Sequence, residues 1–346
     1  MYFPDYYITG CKLLLKILVF PIFAGLCAIF IGLIYKGIDR KIAAHMQARI
    51  GPPIRQPFRD VRKLFVKESI VPENAVEWLF NLAPLIALAS SISILLYIPI
   101  GGITILSGYG DLILILYLLM LPSLAMVAGG LASGSPYATV GAQRELVMMM
   151  SYEFPLAVAV IAVAWKLGGF SLPWIYTHPV WDAVPPATHP LGFVGFWLIL
   201  LALVIVTPVE LSKIPFDVPE AETEIAGGLL AEYSGRNLAM FYLADAVKTV
   251  VMGALIVAIF FPQGLSVLIG LGNTIYGTVI DILFFLLKIL IVLTISVTFV
   301  RVAAARLKID QVAYTYFVHL TILAFCGLAL ILLDTLLYGS SAGGGV

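Results

Sequence analysis

Apolar runs of about twenty residues recur from one end of this chain to the other, which leaves a bundle of membrane-spanning helices as the architecture they allow. Eight runs fall near 13–35, 78–99, 112–133, 146–165, 191–211, 237–261, 277–300 and 314–338. Each is long enough to cross ~30 Å of hydrocarbon at ~1.5 Å per residue. A soluble domain of 346 residues would not be 61% hydrophobic and 12% charged, with a mean hydropathy of +1.04. No long polar stretch interrupts the runs, so residues 1–346 read as a single polytopic membrane domain. The first run follows Lys12 and Lys16, exceeds a signal peptide's apolar region and lacks a small-x-small cleavage site, so it is read as a span.

The basic residues set an orientation. Loops after spans one, three, five and seven hold nine, one, two and three Lys or Arg, fifteen of the twenty in the chain. The opposite side has only Lys12, Lys16 and Lys166, while Lys248 and Lys288 fall inside spans. By the positive-inside rule the odd-numbered loops are cytoplasmic and both termini lie outside. The expected fold is an all-α integral membrane protein of about eight transmembrane helices in the cell membrane.

Two cytoplasmic loops stand out. In the basic loop, 36–73, Phe58, Val61, Leu64 and Phe65 recur at helical spacing, with Arg55, Arg59, Arg62 and Lys63 on the other side. That pattern predicts an amphipathic helix in the interface plane, drawn to anionic lipid or serving as a dock for a soluble partner. Arg40, Lys41 and Arg49 extend the basic surface. A shorter stretch at 170–176, with Trp174 and Tyr176, reads as an aromatic anchor at the outer interface. The acidic loop, 213–236, contains "PFDVPEAETEIAGGLLAEYSG", in which Asp217, Glu220, Glu222, Glu224 and Glu232 occur with no Lys or Arg among them. Asp217 and Pro219 resemble a helix start, where carboxylates offset the dipole. Glu220 and Glu224 stand at i,i+4, a spacing at which like charges repel on a helix and favour proton uptake.

Charges within the spans cost about 2.5–3.5 kcal/mol each on insertion scales. Asp245 and Lys248 are three residues apart and Asp281 and Lys288 seven apart, spacings at which each couple can be a membrane pair. Glu153, read as two turns into span four, and Glu210, closing span five, have no such partner within their own span. They are the better candidates for moving ions. Cys11, Cys27 and Cys326 stand alone, without a CxxC pair or His at metal-ligand spacing, so no metal site and no redox cofactor is expected on this chain.

The stretches "DRKIAAHMQARIGPP", "QPFRDVRKLFVKE", "GSPYATVGAQRELVMMMSYEFP", "VELSKIPFDVPEAETEIAGGLLAEYSG" and "RLKIDQ", in that order, resemble the membrane subunit 1 (H) family of respiratory complex I and its hydrogenase relatives. The resemblance spans roughly residues 36–312 and implies a non-redox membrane anchor, not catalytic alone, beneath a soluble redox arm. It assigns ion coupling to Glu153, Glu210, Asp217, Glu220, Glu222, Glu224, Glu232 and Asp245, the last standing where complex I usually has Glu. "GAQREL" and "EIAGGLLAEYSG" look closer to membrane-bound [NiFe] hydrogenases than to quinone-reducing complex I, which tends to have "GALRA" at the first site. The implied partners are an iron–sulfur small subunit and a hydrogenase-like large subunit, which would hold the iron–sulfur clusters and the [NiFe] centre, together with antiporter-like membrane subunits. No nucleic-acid partner is implied. A sulfur-reducing or quinone-reducing relative would use a similar anchor. The residues alone also leave open a passive structural anchor or a stand-alone ion transporter, although no internal repeat supports the transporter.

The charge count makes a direct prediction about topology. Single-cysteine labels at residues 2 and 343 will react with impermeant reagent from outside the cell, and one near residue 60 only from inside; a cytoplasmic terminus contradicts the assignment.

Overall fold

The computed structural model describes residues 20–102, 106, 110–266, 270 and 274–338. Among these residues the chain is all-α, and eight helices are long and apolar enough to cross a membrane. It is a multi-pass membrane protein. The helices are α1 (Phe20–Met46), the non-spanning α2 (Gln56–Val66), α3 (Glu77–Leu95), α4 (Leu112–Ala132) and α5 (Pro136–Leu167). Then follow α6 (Pro190–Glu210), α7 (Gly235–Phe260), α8 (Ile275–Ala303) and α9 (Ile309–Tyr338). Lys12, Lys16, Cys11 and both chain ends lie outside the described residues.

Two spans depart from their expected bounds. The apolar run of α1 ends at Tyr35, yet the helix continues through Lys36, Asp39, Arg40 and Lys41 to Met46. Partners on other elements sustain those charges: Lys36 meets Asp245, Asp39 meets Arg301, and Arg40 meets Asp60. Helix α5 begins ten residues before the predicted 146, because Pro136 just after Ser135 suits a first helical turn. Glu153 therefore lies about five turns into its span, at 3.6 residues per turn, rather than two.

Helix α7 is the hub, with 94% of its apolar window buried, against 33% for α1 and α8 and 28% for α9. Those outer helices keep exposed apolar faces suited to lipid. Close crossings rest on small residues: a Cβ added to Gly195 of α6 would stand 2.8 Å from the Gly327 carbonyl, and one on Gly327 3.0 Å from that of Gly195. The amphipathic α2 forms as expected, and Arg55, Arg59, Arg62 and Lys63 are exposed. Its apolar face, however, is covered by protein: Phe58 and Val61 pack on Leu33, Leu243 and Ala246 of α1 and α7, and the Phe58 ring lies 5.4 Å from that of Phe30. Only Phe65 and Val66 at its end remain exposed. In the 170–176 stretch, Leu172 and Ile175 are buried, and half-exposed Trp174 donates to the Leu167 carbonyl.

At the end of the bundle away from α2, three helices meet on a buried ionic cluster whose members are too far apart along the chain to be paired by spacing. Lys166 Nζ reaches Asp334 Oδ2 at 2.7 Å and His189 Nδ1 reaches the same oxygen at 2.9 Å, with the Lys166 and Asp334 side chains fully excluded from solvent. Removing one member of such a pair strands a charge. Lys166→Met will cost about 3–5 kcal/mol of stability. Replacing Asp334 with Leu in the same chain will recover most of that loss in thermal unfolding of the detergent-purified protein; an equal deficit in single and double variants contradicts the assignment.

Candidate functional site

The segment 211–234 between α6 and α7 is short of regular structure, and its own residues explain why. Pro215 and Pro219 interrupt it, leaving 3₁₀ turns at Val218–Glu220 and Gly228–Leu230 and one helical turn at Glu222–Ile225. Ala226, Gly227 and Gly228 then take left-handed backbone. Gly228 has no alternative, since a Cβ there would run into the Pro219 carbonyl.

Straps from distant elements replace the missing ladder. Arg306 reaches Asp217 at 2.5 Å, and the Leu307 amide donates to the Pro215 carbonyl at 3.2 Å. Arg144 of α5 pairs with Glu224 at 2.6 Å and donates to the Val218 carbonyl. The Ile70 amide donates to Ser234 Oγ at 2.9 Å and the Arg236 amide to Ser69 Oγ at 3.0 Å.

These straps separate the five acids. Extended backbone at Ala221 breaks the expected helix between Glu220 and Glu224, so the two carboxylates do not share a face. Asp217 makes no helix cap, since its carboxylate is taken by Arg306. Glu222 and Glu224 are exposed and Glu232 is half-buried. Glu220 alone of the five lines the interior, beside Lys213 and Asp245.

Two ionic clusters lie beneath the loop. Asp245 Oδ2 is held between Lys36 at 2.7 Å and Lys213 at 2.6 Å, and Lys36 also donates to the Tyr242 carbonyl. Lys248, one turn on, turns to the other side, reaching Glu210 at 2.8 Å and Ser123 Oγ at 2.9 Å. The expected Asp245–Lys248 pair therefore does not form: each has a better partner on another helix. Nor do Asp281 and Lys288 pair: Asp281 accepts from the Ser266 amide and hydroxyl at 2.8 and 2.5 Å, while Lys288 donates to the carbonyls of Phe261 and Gln263.

A cavity of ≈ 70 Å³, room for a few water molecules, joins the clusters; its polar lining is Glu210, Ser212, Lys213, Glu220, Asp245 and Lys248. Glu210, 2% exposed, also lines a second cavity of ≈ 380 Å³ between α4 and α5, with Tyr152, Glu153 and apolar side chains. It is the group common to both. Glu145, 1% exposed, faces Glu210, Lys248 and Ser123. Glu145 Oε2, the Tyr152 hydroxyl and Glu153 Oε1 are buried without a hydrogen-bond partner among the described residues.

Outside the spans, burial raises the Glu220 carboxyl from 4.5 to about 7, with Lys213 opposing and Asp245 adding to the rise. Burial lowers Lys213, but Asp245 more than compensates and leaves its ammonium above the ordinary value.

Glu145, Tyr152, Lys36 and Lys213 are the interior groups that sequence reasoning passed over. Glu145 was hidden by starting span four at 146, and the Ser135–Pro136 start signal would have exposed it. On the basic loop, Arg40 is engaged by Asp60 at 3.0 Å and Arg49 by Gln47, whereas Lys41, Arg55, Arg59, Arg62 and Lys63 stay exposed. Among the described residues no group of three or more His, Cys, Asp or Glu could hold a metal ion.

A family model described as NADH dehydrogenase matches residues 17–332. The H subunit of the NADH-quinone oxidoreductase of Brevibacillus brevis is 33% identical over 299 residues, covering 83% of this chain and 84% of that protein. The chain belongs to the NADH dehydrogenase subunit 1 (H) family. Hydrogenase-4 component C of Escherichia coli is 32% identical over 281 residues, 81% of this chain and 85% of that protein. A chain from the membrane-bound sulfane sulfur reductase, an archaeal respiratory membrane complex, superposes with a TM-score of 0.79 at 32% identity, over 92% of this chain and 99% of that one. These relatives are parts of multi-subunit membrane complexes. Both cavities of this family member fall within the matched residues.

The raised Glu220 carboxyl fixes a pH dependence. Between about pH 4.5 and 7 the folded chain holds a proton that the unfolded chain has released, so this group's contribution to stability is complete below 4.5 and is lost as pH rises through about 7. Thermal unfolding of the purified protein between pH 5 and 8 will show that decline, and Glu220→Gln will flatten it. An unchanged slope in the variant contradicts the assignment.

Proposed function

We propose that this chain is the membrane anchor and coupling subunit of a complex I-like respiratory complex in the cell membrane, linking electron transfer in a soluble arm to proton or sodium translocation. The observation that carries the reading is Glu210, shared by the loop-side cavity and the cavity that holds Glu153.

The proton form of the mechanism starts at the loop. Glu220 takes a proton near neutral pH, which changes the charge facing Lys213, Asp245 and Lys36. Asp245, held between its two lysines, acts as counter-charge. Water in the smaller cavity carries the proton from Glu220 to Glu210, where neutralisation loosens the hold of Lys248. The Tyr152 hydroxyl and further water lead on to Glu153, and from there to antiporter-like neighbouring subunits. Asp217 and Glu224 hold the loop in place through Arg306 and Arg144. Glu222 and Glu232 lie towards the loop's surface.

The exposed Lys41, Arg55, Arg59, Arg62 and Lys63 form the surface on which the soluble arm sits. Iron–sulfur clusters would belong to that arm, and in the hydrogenase form a [NiFe] centre there would supply proton reduction with ferredoxin as electron donor. The similarity to hydrogenase-4 component C is compatible with that form, and the similarity to the quinone-oxidoreductase H subunit is equally compatible with a quinone-reducing arm. The structural likeness to the sulfane sulfur reductase supports a sulfur-reducing arm as the second reading.

Glu210→Gln keeps the size of the side chain and removes its titration. Vesicles containing the assembled variant complex will turn over artificial donors normally while moving at least about tenfold fewer ions per electron, as expected when a relay group can no longer change protonation. Glu224→Gln will leave that ratio within about twofold, as expected of an exposed ion pair. An unchanged ratio for Glu210→Gln overturns the reading.

A further inference from the structure

Four successive spans, α3 to α6, carry an interior proline: Pro84, Pro122, Pro155 and Pro208. Proline has no amide hydrogen, so the carbonyl four residues earlier loses its helical donor. Those carbonyls belong to Phe80, Leu118, Ser151 and Val204. In a bilayer such a group must find another donor within the protein. Two of them receive a hydroxyl from a distant part of the chain: Tyr233 donates to the Phe80 carbonyl at 3.1 Å, and Ser296 Oγ to that of Val204 at 2.6 Å.

Both contacts fall at ends of the acidic loop. Val204 opens the last two turns of α6, which carry Glu210 and lead into the loop, while Tyr233 stands where the loop gives way to α7. The Tyr233 ring is stacked on Phe80 at 4.1 Å with 1° between planes and meets Phe241 edge-on at 4.9 Å, so its hydroxyl has one direction to point. Burial pushes that hydroxyl well above the ordinary tyrosine range, which keeps it a donor at all physiological pH. Ser296 lies in a π-helical turn of α8, Thr294–Phe299, and a second such turn in α9, Thr315–Leu320, holds Tyr316, whose hydroxyl donates to the next α6 carbonyl, Ile205, at 2.9 Å. Single π turns recur at functional sites in helices, and here two of them aim hydroxyls at one proline-broken stretch.

We propose that Tyr233 and Ser296 are positioning residues for the carboxylate loop, assisted by Tyr316 on the adjacent Ile205 carbonyl: the Tyr233 and Ser296 hydroxyls occupy the carbonyls that Pro84 and Pro208 leave free, and so pin the loop at both ends with Glu220 and Glu210 against the shared cavity. The functional consequence rests on the coupling role proposed for those two glutamates. The pins themselves are measurable without it.

Hydrogen exchange of peptides covering residues 209–234, in the purified complex, reads the pins directly. Tyr233→Phe keeps the ring stack and deletes the donor; it will speed exchange near the loop's end about three- to tenfold, the range that loss of one net hydrogen bond gives. Ser296→Ala will do the same near Glu210, and Ser296→Thr, which retains a hydroxyl, will restore protection. Pro84→Ala supplies the missing amide, so adding Tyr233→Phe to it will have less than about twofold further effect, the small coupling expected once the acceptor is satisfied. Should Pro84→Ala fail to assemble, the Ser296 series decides. Equal exchange in Ser296→Ala and Ser296→Thr, or a Tyr233→Phe effect that is absent or independent of Pro84, overturns the proposal. Altered exchange with unaltered ion pumping in Glu210→Gln would leave the pins standing and remove the coupling role instead.

Discussion

An ionised side chain inside a bilayer has to be paired, and the pairing of Asp245 with Lys36 and Lys213 is the contact on which the rest of this structure depends. It joins the hub helix α7 to the charged extension of α1 and to the first residues of the acidic loop. Without a carboxylate there, two ammonium groups would face each other beneath the loop. With it, α1 continues as helix past its apolar run, and the loop begins at a fixed distance from α7. Glu220 shares the cavity with Lys213 and Asp245; burial raises its carboxyl to about 7, with Lys213 opposing the rise and Asp245 adding to it.

The loop is better understood as a strapped segment than as an acidic surface. Its conformation comes from outside itself: arginines of α5 and of the α8–α9 connection, the Ile70 amide and the Ser69 hydroxyl, and hydroxyls docked on proline-freed carbonyls. Those restraints sort five similar side chains into different duties. Two are spent on ion pairs that hold the backbone, two lie towards the surface, and one turns inward. A cluster of like charges is thereby avoided, and the free energy that repulsion would have cost is replaced by paired contacts.

Much of this was legible in the sequence and some of it was not. The eight spans follow from apolar length alone, and the amphipathic α2 from its helical spacing, because both signals are local. What failed was every inference that paired residues by their separation along the chain. Asp245 and Lys248 are one turn apart yet answer to Lys36, Lys213 and Glu210, which lie 209, 32 and 38 positions from one or the other. Glu220 and Glu224 have helical spacing, but Ala221 leaves the helix between them. Glu145 was hidden by a misplaced span start, and Lys36 by counting it as a loop base. Tyr233 carried no signal, since a hydroxyl's partner across the bundle depends on tertiary structure alone. Asp334 and Lys166 became a pair for the same reason.

What emerges is an interior in which ionic pairs, water-sized space and unpartnered oxygens run from the loop to the middle of α5, with Glu210 at the junction. The central claim is that Glu210 changes protonation when the complex turns over. Reduced-minus-oxidised infrared difference spectra of the assembled complex test it most directly. The account predicts a carbonyl band of a protonated carboxyl that responds to reduction and is lost in Glu210→Gln but kept in Glu224→Gln. A redox-linked carboxyl band unaffected by Glu210→Gln, or no such band in the parent complex, would contradict it.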